Sequence, residues 1–317
     1  MRILFMGTPE LARVCLSAVY EKDGVTVVGV VTRPDKQSGR GMKLVPSPVK
    51  EFATEKGIPV YQPKTLRDGA FFETLDELKP DMIVVAAYGN ILPPYVIAYP
   101  KYGCINAHGS LLPKYRGAAP IERVIIDGER VTGITAMFMD DGLDTGDMIL
   151  KLECPIDDTD DAGSLREKLS VLAGEAICKV IDMAESGNIP REAQDSSLSN
   201  YAKKIEKEDE ILDFSRSPEE IVNLVRGLSP EPYALTKTPD GKLLKITSAK
   251  VGDGTSDAPH GTVVALSGKG DGRISVSCGG GILDITGVVP EGKKKMPASA
   301  YINGRKIAVG DVLSWDN

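Results

Sequence analysis

Residues 2–32, RILFMGTPELARVCLSAVYEKDGVTVVGVVT, decide the reading of the fold. Arg2–Met6 is a short apolar run that fits a buried strand, Pro9–Glu21 has the pattern of a helix, and Val25–Thr32 is a second apolar, β-branched run. The alternation continues outward: Pro48–Lys56 is helical in character, and Asp81–Ala87 and Gly133–Met139 are further strands. Strands separated by helices of this length imply βαβ units and a Rossmann-like, mostly parallel α/β sheet. Ligands of such sheets bind beyond the carboxyl ends of the strands, at a switch point in strand order.

The second half has a different rhythm. Ser164–Ser186 is one amphipathic helix, Ala202–Asp213 is a charged connector, and Ser217–Arg226 is a short helix with Ser217 as N-cap and Pro218 at its first position. Short strands follow at Tyr233–Thr238, Leu243–Val251, Gly261–Leu266, Arg273–Ser277 and Ile282–Val289. Turn dipeptides such as Asp240-Gly241 separate them, so a small antiparallel, OB-like β-barrel is expected. The expected division is a first domain over 1–190, a linker over 191–210 and a second domain over 211–317.

Of the 317 residues, 42% are hydrophobic and 26% charged, a globular composition. No run of about 18 apolar residues offers a membrane span, and the first strand begins at once, with no signal-peptide pattern. Five scattered cysteines, without a C-x-x-C pair, fit neither a zinc ribbon nor a disulfide scaffold, so a reducing cytoplasm is expected. A net charge of −7, taken alone, argues against a nucleic-acid partner.

The first strand ends in Gly7-Thr8-Pro9 and not in G-x-G-x-x-G, which removes the usual dinucleotide cradle. No P-loop motif is present either. The densest polar cluster is Cys104-Ile105-Asn106-Ala107-His108-Gly109-Ser110. If Cys104–His108 is extended, Asn106 and His108 share one face. An amide donor and an imidazole on one face suit a carbonyl oxygen that gains charge. The plainer alternative, a histidine satisfied within a strand or turn, is the commoner case. A second cluster, Asp140–Asp147, follows a strand and does not have EF-hand spacing. A carboxylate there could orient His108, or the segment is an ordinary acidic turn. The long basic segment Arg33–Leu44 suits phosphate contact or is a solvated loop. Lys293-Lys294-Lys295 is a weaker signal of the same kind.

Three stretches carry a resemblance. NAHGSLLPKYRGAAPI at 106–121, DDGLDTGDM at 140–148 and RPDKQSGRGMKLVPSPVK at 33–50 resemble the methionyl-tRNA formyltransferase family. The first belongs to the wider folate-dependent formyltransferase superfamily, while the basic segment and the added strand-rich domain point to the tRNA-acting branch. The resemblance implies transfer of the formyl group of 10-formyltetrahydrofolate, as co-substrate, to methionine on initiator tRNA, without metal or nicotinamide. It implies Asn106, His108 and Asp144 as the catalytic set. It places the folate site at Ala87, Tyr88, Gly89, Ile91, Leu92, Ser110, Leu111, Leu112, Pro113, Asp140 and Gly142. It assigns tRNA contact to Arg33, Lys36, Arg40, Lys43, Lys293, Lys294 and Lys295, and a cytoplasmic monomer is expected. Two departures stand out: Glu122-Arg123 where the family has an amide and a tryptophan, and Ser229-Pro230-Glu231-Pro232 where it has N-P-W-P.

Rival readings are a formyltransferase acting on an amino-sugar nucleotide, a glycinamide ribonucleotide transformylase, a 10-formyltetrahydrofolate hydrolase and a non-catalytic RNA-binding module. The transformylases lack the last ~100 residues, about one domain's worth. The charge distribution removes the objection to RNA. Residues 211–317 hold 13 of the 38 Lys and Arg but only 12 of the 45 Asp and Glu, so the acidity lies in the first two thirds.

Overall fold

The computed structural model describes residues 1–38, 43–270 and 272–316, without the side chains of Gln37, Ser38 and Lys43. The chain forms two compact units. The first comprises Met1–Pro120, Val131–Pro155 and Arg166–Lys203; the second comprises Ile121–Arg130, Ile156–Leu165 and Lys204–Asn317. The stretch 191–210, read above as a linker, is thus divided between them.

The strands of the first unit are β1 (Arg2–Gly7), β2 (Thr26–Val31), β3 (Lys36–Ser38), β4 (Lys43–Val45), β5 (Val60–Tyr61), β6 (Met82–Ala86), β7 (Cys104–His108), β8 (Arg116–Gly117), β9 (Val131–Phe138), β10 (Met148–Pro155) and β11 (Tyr201–Ala202). Its main sheet has the order β10-β9-β7-β6-β1-β2-β5. The β1–β2, β1–β6, β2–β5 and β6–β7 pairs are parallel, and β9 and β10 join antiparallel. Leu4, Met6, Val31, Ile83 and Val85 pack with Phe71 and Leu75 on one face, and the alternate residues Ile3, Phe5, Val30 and Val84 are buried as well. Burial on both faces is why these strands are unbroken apolar runs. Each such side chain contributes about 1.5–3 kcal/mol of burial. A Cβ on Gly7 would lie 2.6 Å from the Ala12 Cβ and 2.7 Å from the Ala86 carbonyl oxygen. Glycine there lets β1 turn tightly into the helix Glu10–Glu21. At the basic segment β3 pairs antiparallel with β4.

The strands of the second unit are β12 (Ala234–Lys237), β13 (Leu243–Val251), β14 (Val263–Ser267), β15 (Arg273–Cys278), β16 (Gly281–Pro290) and β17 (Met296–Pro297). They correct the expected barrel: the sheet is open, in the order β12-β13-β16-β15-β14, with β17 on β16. Coil covers each edge in place of closure. Ile211 bridges Leu235 on the β12 side, and Val312 bridges Thr262 on the β14 side. Leu244, Ile246, Val276, Ile285 and Val288 form the core with Ile221 and Val225 of the helix Pro218–Gly227. That helix has the expected N-cap: Ser217 Oγ accepts from the Glu220 N–H at 3.2 Å, and Glu220 Oε2 accepts from the Ser217 N–H at 3.0 Å. The two excursions 121–130 and 156–165 are held locally. Ile126 packs on this core, Gly163 N–H donates to the Ser229 carbonyl, and Arg226 donates to the carbonyls of Asp157 and Asp160.

Candidate active site

β7 is extended, as the reading of Asn106 and His108 requires, and pairs with β6 and β9. His108 is buried at 6% exposure and Asn106 is half-buried. His108 Nε2 lies 2.8 Å from the Tyr115 carbonyl oxygen. A carbonyl only accepts, so Nε2 carries a proton and Nδ1 is the nitrogen turned to Asp144. Nδ1 and Asp144 Oδ1 are 3.6 Å apart, too long for a hydrogen bond but short for a charge interaction.

Asp144 reaches this position by an indirect path. β9 runs against β7, so Phe138 stands opposite Ile105, three residues before His108. The loop after β9 has to fold back for its carboxylate to meet the imidazole. Asp144 sits in the left-handed region at φ +54, which aspartate tolerates better than most residues. Its Oδ2 accepts from the Gly117 N–H at 2.9 Å. Within the loop, Asp140 Oδ1 accepts from the Gly142 N–H at 3.0 Å and from the Thr145 hydroxyl at 2.8 Å. Tyr115 and Gly117 therefore grip the two catalytic candidates from one short turn, one by a carbonyl and one by an N–H.

That turn is braced by residues that sequence reasoning missed. Tyr115 N–H donates to the Asn200 side-chain oxygen, and β8 pairs in parallel with β11. A Cβ on Gly117, at φ +119, would meet the Tyr201 ring at 2.6 Å and the Ala202 carbonyl oxygen at 2.7 Å. Gln194 donates to the carbonyls of Asp144 and Gly146 at 2.9 and 2.8 Å, and its own oxygen accepts from Arg116. The only available signal was a short polar run, Ala193–Asn200, ahead of an apolar Tyr201-Ala202 pair.

The residues assigned to folate divide. Ala87 (φ +44) and Gly89 (φ +72) form a left-handed bend after β6. Tyr88 and Leu92 are buried while Ile91 is 69% exposed. Burial pushes the Tyr88 phenol up, against a hydrogen bond from Asn90 and the charge of Arg33. Ser110 turns inward, its hydroxyl donating to the Lys114 carbonyl at 2.7 Å. Leu112 is buried against Met137 and Met148, and its N–H donates to Thr135 Oγ1 at 3.0 Å. Leu111 is half-buried, and Pro113 follows a cis peptide bond. Asp140 and Gly142 are exposed.

Of the residues assigned to tRNA, Arg33 turns inward and donates to the Gly89 carbonyl. Lys36 is exposed on β3, Lys43 is described only as backbone of β4, and Arg40 lies outside the described residues. In the second unit Lys293, Lys294 and Lys295 are exposed beyond β16, and Lys295 lies 6.0 Å from the Tyr233 ring centre. Of the departures, Arg123 pairs with Asp209 at 2.6 Å, and the bonds Ser229-Pro230 and Glu231-Pro232 are cis.

Known proteins match this arrangement from end to end. The family described as "Formyl transferase" matches residues 1–181, and "Formyl transferase, C-terminal domain" matches 204–306. The methionyl-tRNA formyltransferase of Clostridioides difficile (strain 630) is 47% identical over 313 residues, 99% of this chain and 100% of that protein. The chain belongs to the methionyl-tRNA formyltransferase family. The family's enzyme from Geotalea uraniireducens (strain Rf4) is 45% identical over 99% of this chain and 98% of its own length. Among solved structures, the N-formyltransferase of Helicobacter canadensis, in complex with folinic acid and dTDP-3-aminofucose, shares the fold at TM-score 0.65 and 20% identity, covering 93% of this chain and 99% of that one. HypX of Aquifex aeolicus in complex with tetrahydrofolic acid matches at TM-score 0.64 and 17% identity over 98% of this chain, which spans 48% of HypX. No helix among the described residues is long and apolar enough to cross a membrane.

Proposed function

We propose that this protein transfers the formyl group of 10-formyltetrahydrofolate to the α-amino group of methionine on initiator methionyl-tRNA, and that it acts as a cytoplasmic monomer. The observation that carries this reading is the Asn106–His108–Asp144 constellation, fixed by the Tyr115–Gly117 turn, in a chain similar to methionyl-tRNA formyltransferases over nearly its whole length. In the reaction the amine nitrogen attacks the formyl carbon and negative charge builds on the formyl oxygen. The Asn106 amide holds that oxygen. The carbon–nitrogen bond to the folate then breaks, and the proton lost by the amine ends on the folate nitrogen. His108 Nδ1 and Asp144 are the groups beside this proton path, and Asp144 stabilises positive charge on the amine or the imidazole.

Folate fits the loops that flank β7. Ile91 and Leu143 are 69% and 52% exposed in the segments after β6 and β9, as suits the faces of a flat ring, and the left-handed bend at Ala87–Gly89 offers backbone groups to its edge. Of the described cations assigned to the tRNA backbone, Lys36 and Lys293–Lys295 are exposed, while Arg33 donates to the Gly89 carbonyl. The test is incubation with 10-formyltetrahydrofolate, charged initiator tRNA and an amino-sugar nucleotide as competing acceptor. Formyl-methionyl-tRNA is the expected product, and formyl found only on an amino sugar or released as formate would refute the reading.

A further inference from the structure

We propose that Gln194 is a positioning residue that sets the orientation of Asp144 during formyl transfer, an inference that rests on the formyltransferase reading of the site. The side-chain amide uses both of its ends. Nε2 donates to the Asp144 carbonyl at 2.9 Å and to the Gly146 carbonyl at 2.8 Å. Oε1 accepts from Arg116 Nε at 3.0 Å and Nη2 at 2.8 Å. The two carbonyls bracket Thr145, so one amide fixes the backbone on either side of the residue that follows Asp144. The backbone it fixes is the left-handed one, at φ +54. Such a conformation persists only where its surroundings over-determine it.

The other end of the bridge explains why the arrangement is specific. Arg116 is buried at 9% exposure, and its neighbour Gly117 donates to Asp144 Oδ2. The carboxylate is therefore held twice from one short segment: Gly117 holds its side chain directly, and Arg116 holds its backbone through Gln194. Gln194 itself is placed by a pair of backbone hydrogen bonds between Glu192 and Met148, at 2.8 and 2.9 Å. A glutamine is required by the pattern of partners, two acceptors on one side and a donor fork on the other. Glutamate would still accept from Arg116, as an ion pair, but would set oxygen lone pairs against two carbonyl oxygens.

The test compares wild type, Gln194→Glu, Asp144→Asn and the double variant by single-turnover formylation of methionyl-tRNA, tetrahydrofolate affinity and Tm. Gln194→Glu is expected to keep its Tm and to bind tetrahydrofolate within about twofold of wild type, while its transfer rate falls roughly 10- to 100-fold, the scale of two missing hydrogen bonds plus repulsion. Adding Gln194→Glu to Asp144→Asn is expected to change the rate less than about twofold, because residues that act as a unit are not additive. A role confined to folding would lower Tm and cost the same factor in both backgrounds, and that result overturns the proposal. So does a wild-type rate in Gln194→Glu. Gln194→Met, of similar length and uncharged, repeats the comparison should the glutamate variant fold poorly. A wild type that transfers no formyl refutes the parent reading, whereas an active wild type with an unaffected variant refutes only the role of Gln194.

Discussion

Asp144→Asn isolates charge from shape. Asparagine matches aspartate in size and is at home at positive φ, so the backbone at φ +54 is expected to stay. The amide oxygen can still accept from Gly117 N–H, and what disappears is the negative charge 3.6 Å from His108 Nδ1. Both side chains are largely buried, at 6% and 15% exposure. Two unit charges at this separation and an effective dielectric of about 20 interact by about 5 kcal/mol, and a charge half developed in the transition state by about 2 kcal/mol. At 1.4 kcal/mol per decade, the formyl-transfer rate should fall between roughly 30-fold and 4 × 10³-fold. The assay is single-turnover transfer to methionyl-tRNA with the enzyme in excess, alongside tetrahydrofolate affinity and Tm, both expected to remain near wild type. A rate within fivefold of wild type, or a loss carried by folate affinity instead of rate, would show that the Asp144 charge does not act on the reacting centre.

Other perturbations test neighbouring parts of the argument. Gly117→Ala drives a Cβ into the Ala202 carbonyl at 2.7 Å and adds strain of about 1–3 kcal/mol at its backbone. Both Tm and transfer rate should drop, and a variant matching wild type in both would mean that the β8–β11 pairing does not brace the site. Replacing Lys293, Lys294 and Lys295 together by alanine should weaken tRNA binding and flatten its log–log salt slope by about one for each phosphate that is no longer neutralised. An unchanged salt slope would remove these lysines from the tRNA surface. Burial raises the thiols of Cys15 and Cys104 above their ordinary value of 9.0. Their native pKa exceeds the unfolded one, so their contribution is complete below pH 9 and declines as pH rises, by about 1.4 kcal/mol per pH unit per thiol. Denaturant titrations between pH 8 and 10.5 should show this slope, and Cys104→Ala should reduce it; the same slope in both proteins would contradict the assignment.

The parallel strands were legible because burial on both faces leaves unbroken apolar runs such as Ile3–Met6. Asn106 and His108 were legible as a pair because strand periodicity puts alternate residues on one face. The sense of β9 was not legible, since an apolar run carries no direction, and with it went the folded-back path of the Asp144 loop. Hairpin turns such as Asp240-Gly241 disclosed the antiparallel strands of the second unit, but closure depends on whether the two edges meet. Ile211 and Val312 cover those edges from distant coil, which leaves no local pattern. Gln194 and Asn200 were invisible for a related reason. A single amide in a polar stretch looks like any solvated loop until its partners, 50 and 85 residues earlier, are known.

The braces also impose an order in time. A nascent chain that has emerged only as far as residue 190 already contains Asn106, His108 and Asp144, yet lacks Gln194, Asn200 and the strand that pairs with β8. At about 5–20 residues per second, the ribosome exposes the catalytic side chains seconds before the segment that aligns them. Closing the long loop between residue 115 and residue 200 carries an entropic cost that is recovered only when the β8–β11 pair and its side-chain bridges form together. The competent site is therefore a late product of folding, assembled after the sheet beneath it is complete.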